Sequence, residues 1–260
     1  MNKLSLSMFQ AVLFDLDGTV YYGSKMIDGA NDTIRFFREK GKRIFFVTNN
    51  STKTRKQVYE KLKRMGIDAY LDEVLTSGFI AATYALKSGM KDIYIFGSSN
   101  LAHEFHEAGI PVNQTEEAEN LLIGYNPDIT YAELAQAARI ALKAKKVIAC
   151  NRERMYPGED AKLMPGCGAM TAPIEWCANR KCDIVLGKPN TFMVEFLVEH
   201  VEIPAAQMLV IGDTYESDIE MAKHAGCKSI LLDKAENKKN DTIVVKSIKE
   251  VRDYFSYEEK

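Results

Sequence analysis

Long apolar runs are missing from this sequence of 260 residues. The longest, such as Ile44-Phe45-Phe46-Val47 and Met208-Leu209-Val210-Ile211, are strand-sized and far short of the roughly 20 residues a membrane helix needs. No membrane is expected as a partner. An excess of charge is missing too: 34 Lys and Arg stand against 36 Asp and Glu, a formal net charge of -2. That balance gives no reason to expect a nucleic acid polymer as a partner, so any anionic ligand must be held by local groups. Cysteine is scarce and unpatterned. Cys150, Cys167, Cys177, Cys182 and Cys227 are odd in number with no paired two-residue spacing, which argues against a zinc site or a disulfide framework. They read as small buried or incidental residues. Residues 1–7 also lack the continuous apolar stretch of a secretory signal, so a cytoplasmic location is expected.

What the chain does have is alternation. Ala11-Val12-Leu13-Phe14 is an uninterrupted apolar run that stops at Asp15-Leu16-Asp17-Gly18-Thr19, the pattern of a buried strand entering a polar loop. A helix-period segment from Ala30 to Lys40 follows, with Gly41 as its stop. A strand over Arg43 to Val47 and a charged helix from about Thr54 to Met65 come next. The same order returns late, as helix Thr191 to His200, strand Met208 to Ile211, helix Asp218 to Ala225 and strand Lys228 to Leu232. Strand and helix in strict alternation predict an α/β fold with a Rossmann-like, doubly wound parallel sheet. Residues 1–79 and 180–260 are expected to form this discontinuous core. Residues 80–179 carry their own alternation, with strands at Asp92 to Phe96, Leu121 to Gly124 and Lys146 to Cys150, and so predict an inserted smaller α/β cap domain. The lysine-rich turn Lys234 to Lys239 reads as a solvated loop.

In a doubly wound sheet, ligands sit outside the carboxyl ends of the strands. Those positions here are polar: Asp15 and Asp17 after the first run, Thr48 and Asn49 after the second, and Gly212-Asp213 after the late one. Lys188, after Ile184-Val185-Leu186, is placed to join them. Clustered carboxylates raise one another's pKa unless a cation neutralises them. Magnesium suits carboxylate and carbonyl oxygens and bridges readily to phosphate. Asp15 is then the candidate nucleophile, and Asp17 the general acid for the leaving group and general base for water. Thr48 and Lys188 are candidates to hold the phosphoryl oxygens. Gly18 lets the backbone turn tightly past the phosphate. Each motif alone is also ordinary turn or cap chemistry; four of them at strand ends, in this order, point to one site.

These residues resemble the motifs of the haloacid dehalogenase (HAD) superfamily: Asp15-Leu16-Asp17-Gly18-Thr19, Thr48, Lys188, and Gly212-Asp213 with Asp218. An acidic residue at Asp17 is similar to the phosphatases of that superfamily and unlike its dehalogenases. Phe46-Val47-Thr48-Asn49-Asn50-Ser51, Thr76-Ser77, Met164-Pro165-Gly166-Cys167-Gly168 and Leu186-Gly187-Lys188-Pro189 resemble the NagD-like, p-nitrophenylphosphatase branch. The resemblance implies a magnesium-dependent phosphomonoesterase with a C2-type cap and a phosphoaspartyl intermediate on Asp15. It implies that Asp15, Asp213 and the backbone carbonyl of Asp17 bind Mg2+, with Asp218 behind them or bound through water.

Asn49, Asn50, Asn151, Arg152 and Tyr156 are candidates for phosphate or substrate contact, the last three by their place after the strand Lys146 to Cys150. Arg152 or Arg154 is a candidate for an anionic substrate tail. His103 and His106 read as an exposed helix face and not a metal site. The expected partner is a small phosphorylated metabolite, its leaving group chosen by the cap. Capped relatives often associate through the cap, so a homo-oligomer is also among the expected partners. Transfer of the phosphoryl group to another acceptor, a phosphoaspartate signalling module and a non-catalytic binder remain as alternatives.

Overall fold

The computed structural model describes residues 4–158, 162–235 and 241–256. In chain order the first half of the main elements runs β1 (Ala11–Asp15), α1 (Ala30–Glu39), β2 (Arg43–Thr48), α2 (Arg55–Arg64), β3 (Val74–Thr76), α3 (Ser77–Lys87), β4 (Ile93–Phe96), α4 (Ser99–Glu107), β5 (Asn120–Ile123), α5 (Tyr131–Lys143) and β6 (Lys146–Ala149). Then come a hairpin of β7 (Met155–Pro157) and β8 (Leu163–Pro165), α6 (Gly168–Ala178), β9 (Ile184–Val185), α7 (Phe192–Val201), β10 (Met208–Gly212), α8 (Glu220–Ala225), β11 (Lys228–Leu232) and β12 (Ile243–Val245).

A six-stranded parallel sheet in the order β12-β11-β10-β1-β2-β3 forms the larger layer. Between their ends the central strands are continuously apolar because both faces are covered. Val12 and Phe14 pack on one face with Phe37 of α1 and Val58 and Leu62 of α2. Leu13, Phe45 and Val47 pack on the other with Met193 and Leu197 of α7 and Met221 of α8. The α/β, parallel-sheet expectation holds.

A second parallel sheet, β9-β6-β5-β4, makes the insertion. One face carries α5 and α6 over Tyr94, Phe96, Leu121 and Ile123. The other, through Ile95, Leu122 and Ile148, joins Ile80 and Ala81 of α3 and Leu101 and Phe105 of α4 in the same apolar cluster that fills one side of the core sheet.

The expected seams at 79/80 and 179/180 differ from the layout. Helix α3 runs through the first, and β9, expected on the core side of the second, pairs with β6 in the smaller sheet: Ile184 opposite Ile148 and Val185 opposite Ala149. A two-residue strand carries no pattern that reveals which sheet it joins. Lys188 therefore enters the site from the end of a strand of the smaller sheet, not from a core strand. Of the lysine-rich turn, residues 236–239 lie outside the described residues. His103 and His106 lie on an exposed face of α4, where His103 Nε2 sits 3.4 Å from Glu107 Oε1.

Candidate active site

The site grows out of strand register. Phe14 is paired with Ile211 and Asp15 with Val47, so the chain leaves β1, β2 and β10 at adjacent points, with Asp15, Thr48 and Asp213 side by side. Between Asp15 and Asp213 the chain turns at Gly18, whose φ is +99°; a Cβ there would lie 2.1 Å from Asp213 Oδ2. Glycine is required both by the backbone and by the neighbour.

Oxygens of Asp15, Asp213 and Asp218 all lie within 4.8 Å of one another. The converging trio thus includes Asp218, delivered by a π-helical turn over Tyr215–Ile219, where the sequence suggested Asp17. Lys188 reaches in from the opposite wall: its Nζ donates to Asp15 Oδ1 at 2.5 Å and to Asp218 Oδ1 at 2.6 Å. The Thr214 N–H donates to the other oxygen of Asp218, at 3.1 Å.

Electrostatics at this floor follow from burial and proximity. Burial pushes the Asp15 carboxyl up, with the Lys188 charge opposing it. Burial would lower Lys188, but Asp15 and Asp218 outweigh it and hold the ammonium charged, above its ordinary range. Asp213 is pushed up to about 9 by burial and then by Asp15 and Asp218, and Asp218 up to about 6 by burial and Asp15. Three hard carboxylate donors at this spacing, each with its pKa raised by burial and by a neighbouring carboxylate, fit a divalent cation. Asp17 makes no ion pair with the described residues. Burial raises its pKa, while Lys61, Lys188 and Lys53 oppose.

Several candidate ligands turn out to be engaged with the protein itself. Asn49 clamps the Lys188 backbone from both sides: its Oδ1 accepts the Lys188 N–H at 2.9 Å and its Nδ2 donates to the Lys188 carbonyl at 3.2 Å. Gly187 admits this clamp, since a Cβ there would lie 2.4 Å from Asn49 Oδ1. The Asn50 carboxamide oxygen accepts from the Thr52 and Lys53 N–H groups, closing the turn into α2. Asn151 Nδ2 donates to the Asn49 carbonyl at 2.6 Å and its Oδ1 accepts the Glu153 N–H at 3.0 Å. It ties the loop after β6 to the core. Thr48 Oγ1 accepts the Asn50 N–H at 3.1 Å, which leaves its hydroxyl proton free for a ligand oxygen.

Above this floor is a cleft of about 630 Å³, including space open to solvent. Tyr156 lines it, its ring edge-on to Tyr125 at 5.6 Å. Arg152 and Arg154 are exposed and absent from the lining; Arg152 instead donates to Glu175 Oε2 at 2.7 Å. The placement of Arg152 does not support a substrate contact. Glu153 is the residue of this segment that lines the cleft. Asn151 Oδ1 turns the chain by accepting the Glu153 N–H, and beyond that turn Glu153 lines the cleft while its two arginine neighbours are exposed. Glu153 and Tyr125 line the cleft from loops whose sequence gives no signal of it, and Cys167, which stands in the motif Met164 to Gly168, lines it as well.

Comparison with known proteins agrees with this geometry. The haloacid dehalogenase-like hydrolase family model matches residues 12–111, and a second HAD hydrolase-like model matches residues 185–253. The chain is 33% identical over 223 residues to the sugar-phosphatase AraL of Bacillus subtilis, covering 85% of this chain and 82% of that one. It is 32% identical over 255 residues to phosphoglycolate phosphatase 2 of Arabidopsis thaliana, covering 87% and 84%. A 4-nitrophenylphosphatase from Thermotoga maritima superimposes with a TM-score of 0.86 at 30% identity, over 95% of this chain and 98% of that one. The chain belongs to the haloacid dehalogenase-like hydrolases and is a phosphatase of their NagD-like, p-nitrophenylphosphatase branch.

Proposed function

We propose that the protein hydrolyses a small phosphorylated metabolite through a phosphoaspartyl intermediate on Asp15. The observation that carries this is the Asp15 carboxylate at the cleft floor, fixed by Lys188 at 2.5 Å and flanked by Asp213 and Asp218. Held by Asp15, Asp213 and the Asp17 backbone carbonyl, with Asp218 behind them, magnesium would supply positive charge to the phosphoryl oxygens.

The chain's own residues supply the rest. One Asp15 oxygen attacks phosphorus while Lys188 holds the other, so the nucleophile is oriented before substrate arrives. The Thr48 hydroxyl donates to a phosphoryl oxygen, its lone pair being already engaged by Asn50. Asp17, with its pKa raised by burial, gives its proton to the departing alkoxide. It then takes a proton from the water that attacks the phosphoaspartate, releasing phosphate and restoring Asp15. The alternative of transfer to a second acceptor has no observation in its favour.

The test is phosphate release from p-nitrophenyl phosphate. Asp15→Asn should lower kcat by about 10³-fold or more, the scale seen when a covalent nucleophile is lost. Chelation should silence the unaltered enzyme and magnesium restore it. Activity retained in the variant would refute the assignment of Asp15.

A further inference from the structure

Lys188 is the single cation among the described residues lining the cleft, and its charge is already shared between Asp15 and Asp218. The two arginines nearest the mouth do not compensate. Arg152 is paired with Glu175, and Arg154 is exposed outside the lining. At this end the wall is made by Tyr125, Tyr156 and Glu153. The Glu153 carboxylate makes no hydrogen bond or ion pair with the described residues, although its backbone N–H is tied to Asn151. This wall therefore offers two aromatic rings, hydroxyl groups and a carboxylate without a partner among the described residues, and Lys188 is the one cation that shares the cleft with it.

We propose that Glu153 is a specificity-determining residue that admits phosphate esters of uncharged polyhydroxylated alcohols, such as sugar phosphates, and excludes esters whose leaving group carries a second anion. The inference rests on the phosphatase reading above and names the substrate class of that same site. A carboxylate accepts hydrogen bonds from sugar hydroxyls, and the tyrosine rings pack against the carbon faces of a sugar. A substrate carboxylate beside Glu153 meets a like charge in a cleft whose one lining cation, Lys188, is already shared between Asp15 and Asp218, and juxtaposed like charges are an effective way to reject a wrong partner. Burial holds the Glu153 pKa at about 7, so at slightly alkaline pH the group is mostly charged.

The experiment compares kcat/KM of the magnesium-loaded enzyme for ribose 5-phosphate, glucose 6-phosphate, 2-phosphoglycolate and p-nitrophenyl phosphate. The variants are Glu153→Gln and Glu153→Lys. The unaltered enzyme should favour the better sugar phosphate over phosphoglycolate by about 10-fold or more. That ratio should fall several-fold in Glu153→Gln and reverse in Glu153→Lys. Because the readout is a ratio, a general loss of folded protein divides out. A preference for phosphoglycolate by the unaltered enzyme overturns the proposal without any variant. A ratio unchanged within about twofold in both variants, with aryl phosphate still turned over, overturns the role of Glu153. No phosphate release from any ester by the unaltered enzyme instead overturns the phosphatase reading, and the selectivity with it.

Discussion

At the floor of the cleft Asp15, Asp218 and Lys188 hold one another at 2.5 and 2.6 Å, and Asn49 and Asn151 lock the loops that carry them. Along its wall Glu153 is without a partner among the described residues, the rings of Tyr125 and Tyr156 meet edge-on, and Tyr156 and Pro157 of the two-stranded hairpin line the cleft. The first region is densely tied: Lys188 binds both Asp15 and Asp218, and Asp218 also accepts the Thr214 N–H. The second is held by backbone contacts, with side chains left free for a ligand. Bond-making to phosphorus tolerates little displacement, about 100-fold in rate for roughly 1 Å, whereas a leaving group can be accommodated in several ways. Rigidity is therefore concentrated where the chemistry is common to all substrates, and latitude where substrates differ.

The sharpest way to break this contrast is to remove the charge that holds the floor together. Lys188→Met leaves Asp15 and Asp218 buried and facing each other, and removing one partner of a buried ion pair costs about 3–5 kcal/mol. Thermal denaturation in chelator should show that loss. Activity on p-nitrophenyl phosphate should fall by about 10²–10³-fold, the scale of one deleted transition-state donor. Near-normal melting in chelator would mean that the floor is not held as described. A smaller effect is expected at the turn. Gly18→Ala puts a Cβ 2.1 Å from Asp213 Oδ2 at φ +99°, so Asp213 must shift. We expect about 1–3 kcal/mol of strain and a loss of about 100-fold in kcat, with KM for aryl phosphate changing little. Unchanged kcat would show that the position of Asp213 is not critical.

The two regions also differ in how far the sequence reveals them. The floor is legible because parallel strands buried on both faces are continuous apolar runs, and the abrupt polar residues at their ends, Asp15, Thr48 and Asp213, are visible without coordinates. Less visible is how those residues are used. Asn49 and Asn151 are polar residues beside a phosphate site by sequence, and in the structure their carboxamides bind backbone. Lys188 follows a run of three apolar residues, too short to reveal that β9 belongs to the smaller sheet. In the loop after β6, Asn151-Arg152-Glu153-Arg154 offers three charged side chains in succession, and a local turn capped by Asn151 decides which of them lines the cleft. Chemical plausibility favoured the arginine for an anionic substrate; the backbone presents the glutamate.

The last and smallest effect concerns the mouth alone. Burial, with Asp15, Asp218 and Asp17 adding to it and Lys188 opposing, raises the Glu153 pKa to about 7. A carboxyl with that pKa is charged above pH 7 and takes up a proton as pH falls through it. Its repulsion of a second anion is then present at about pH 8 and mostly lost at about pH 6. The carboxylate of phosphoglycolate stays ionised throughout that window. The floor groups act on the phosphate common to both substrates, so their titration largely cancels in a ratio. The preference for sugar phosphate over phosphoglycolate should therefore shrink about two- to fivefold between about pH 8 and about pH 6 in the unaltered enzyme, and stay flat in Glu153→Gln. A ratio that moves equally in both proteins would assign the pH dependence to the floor and remove Glu153 from it.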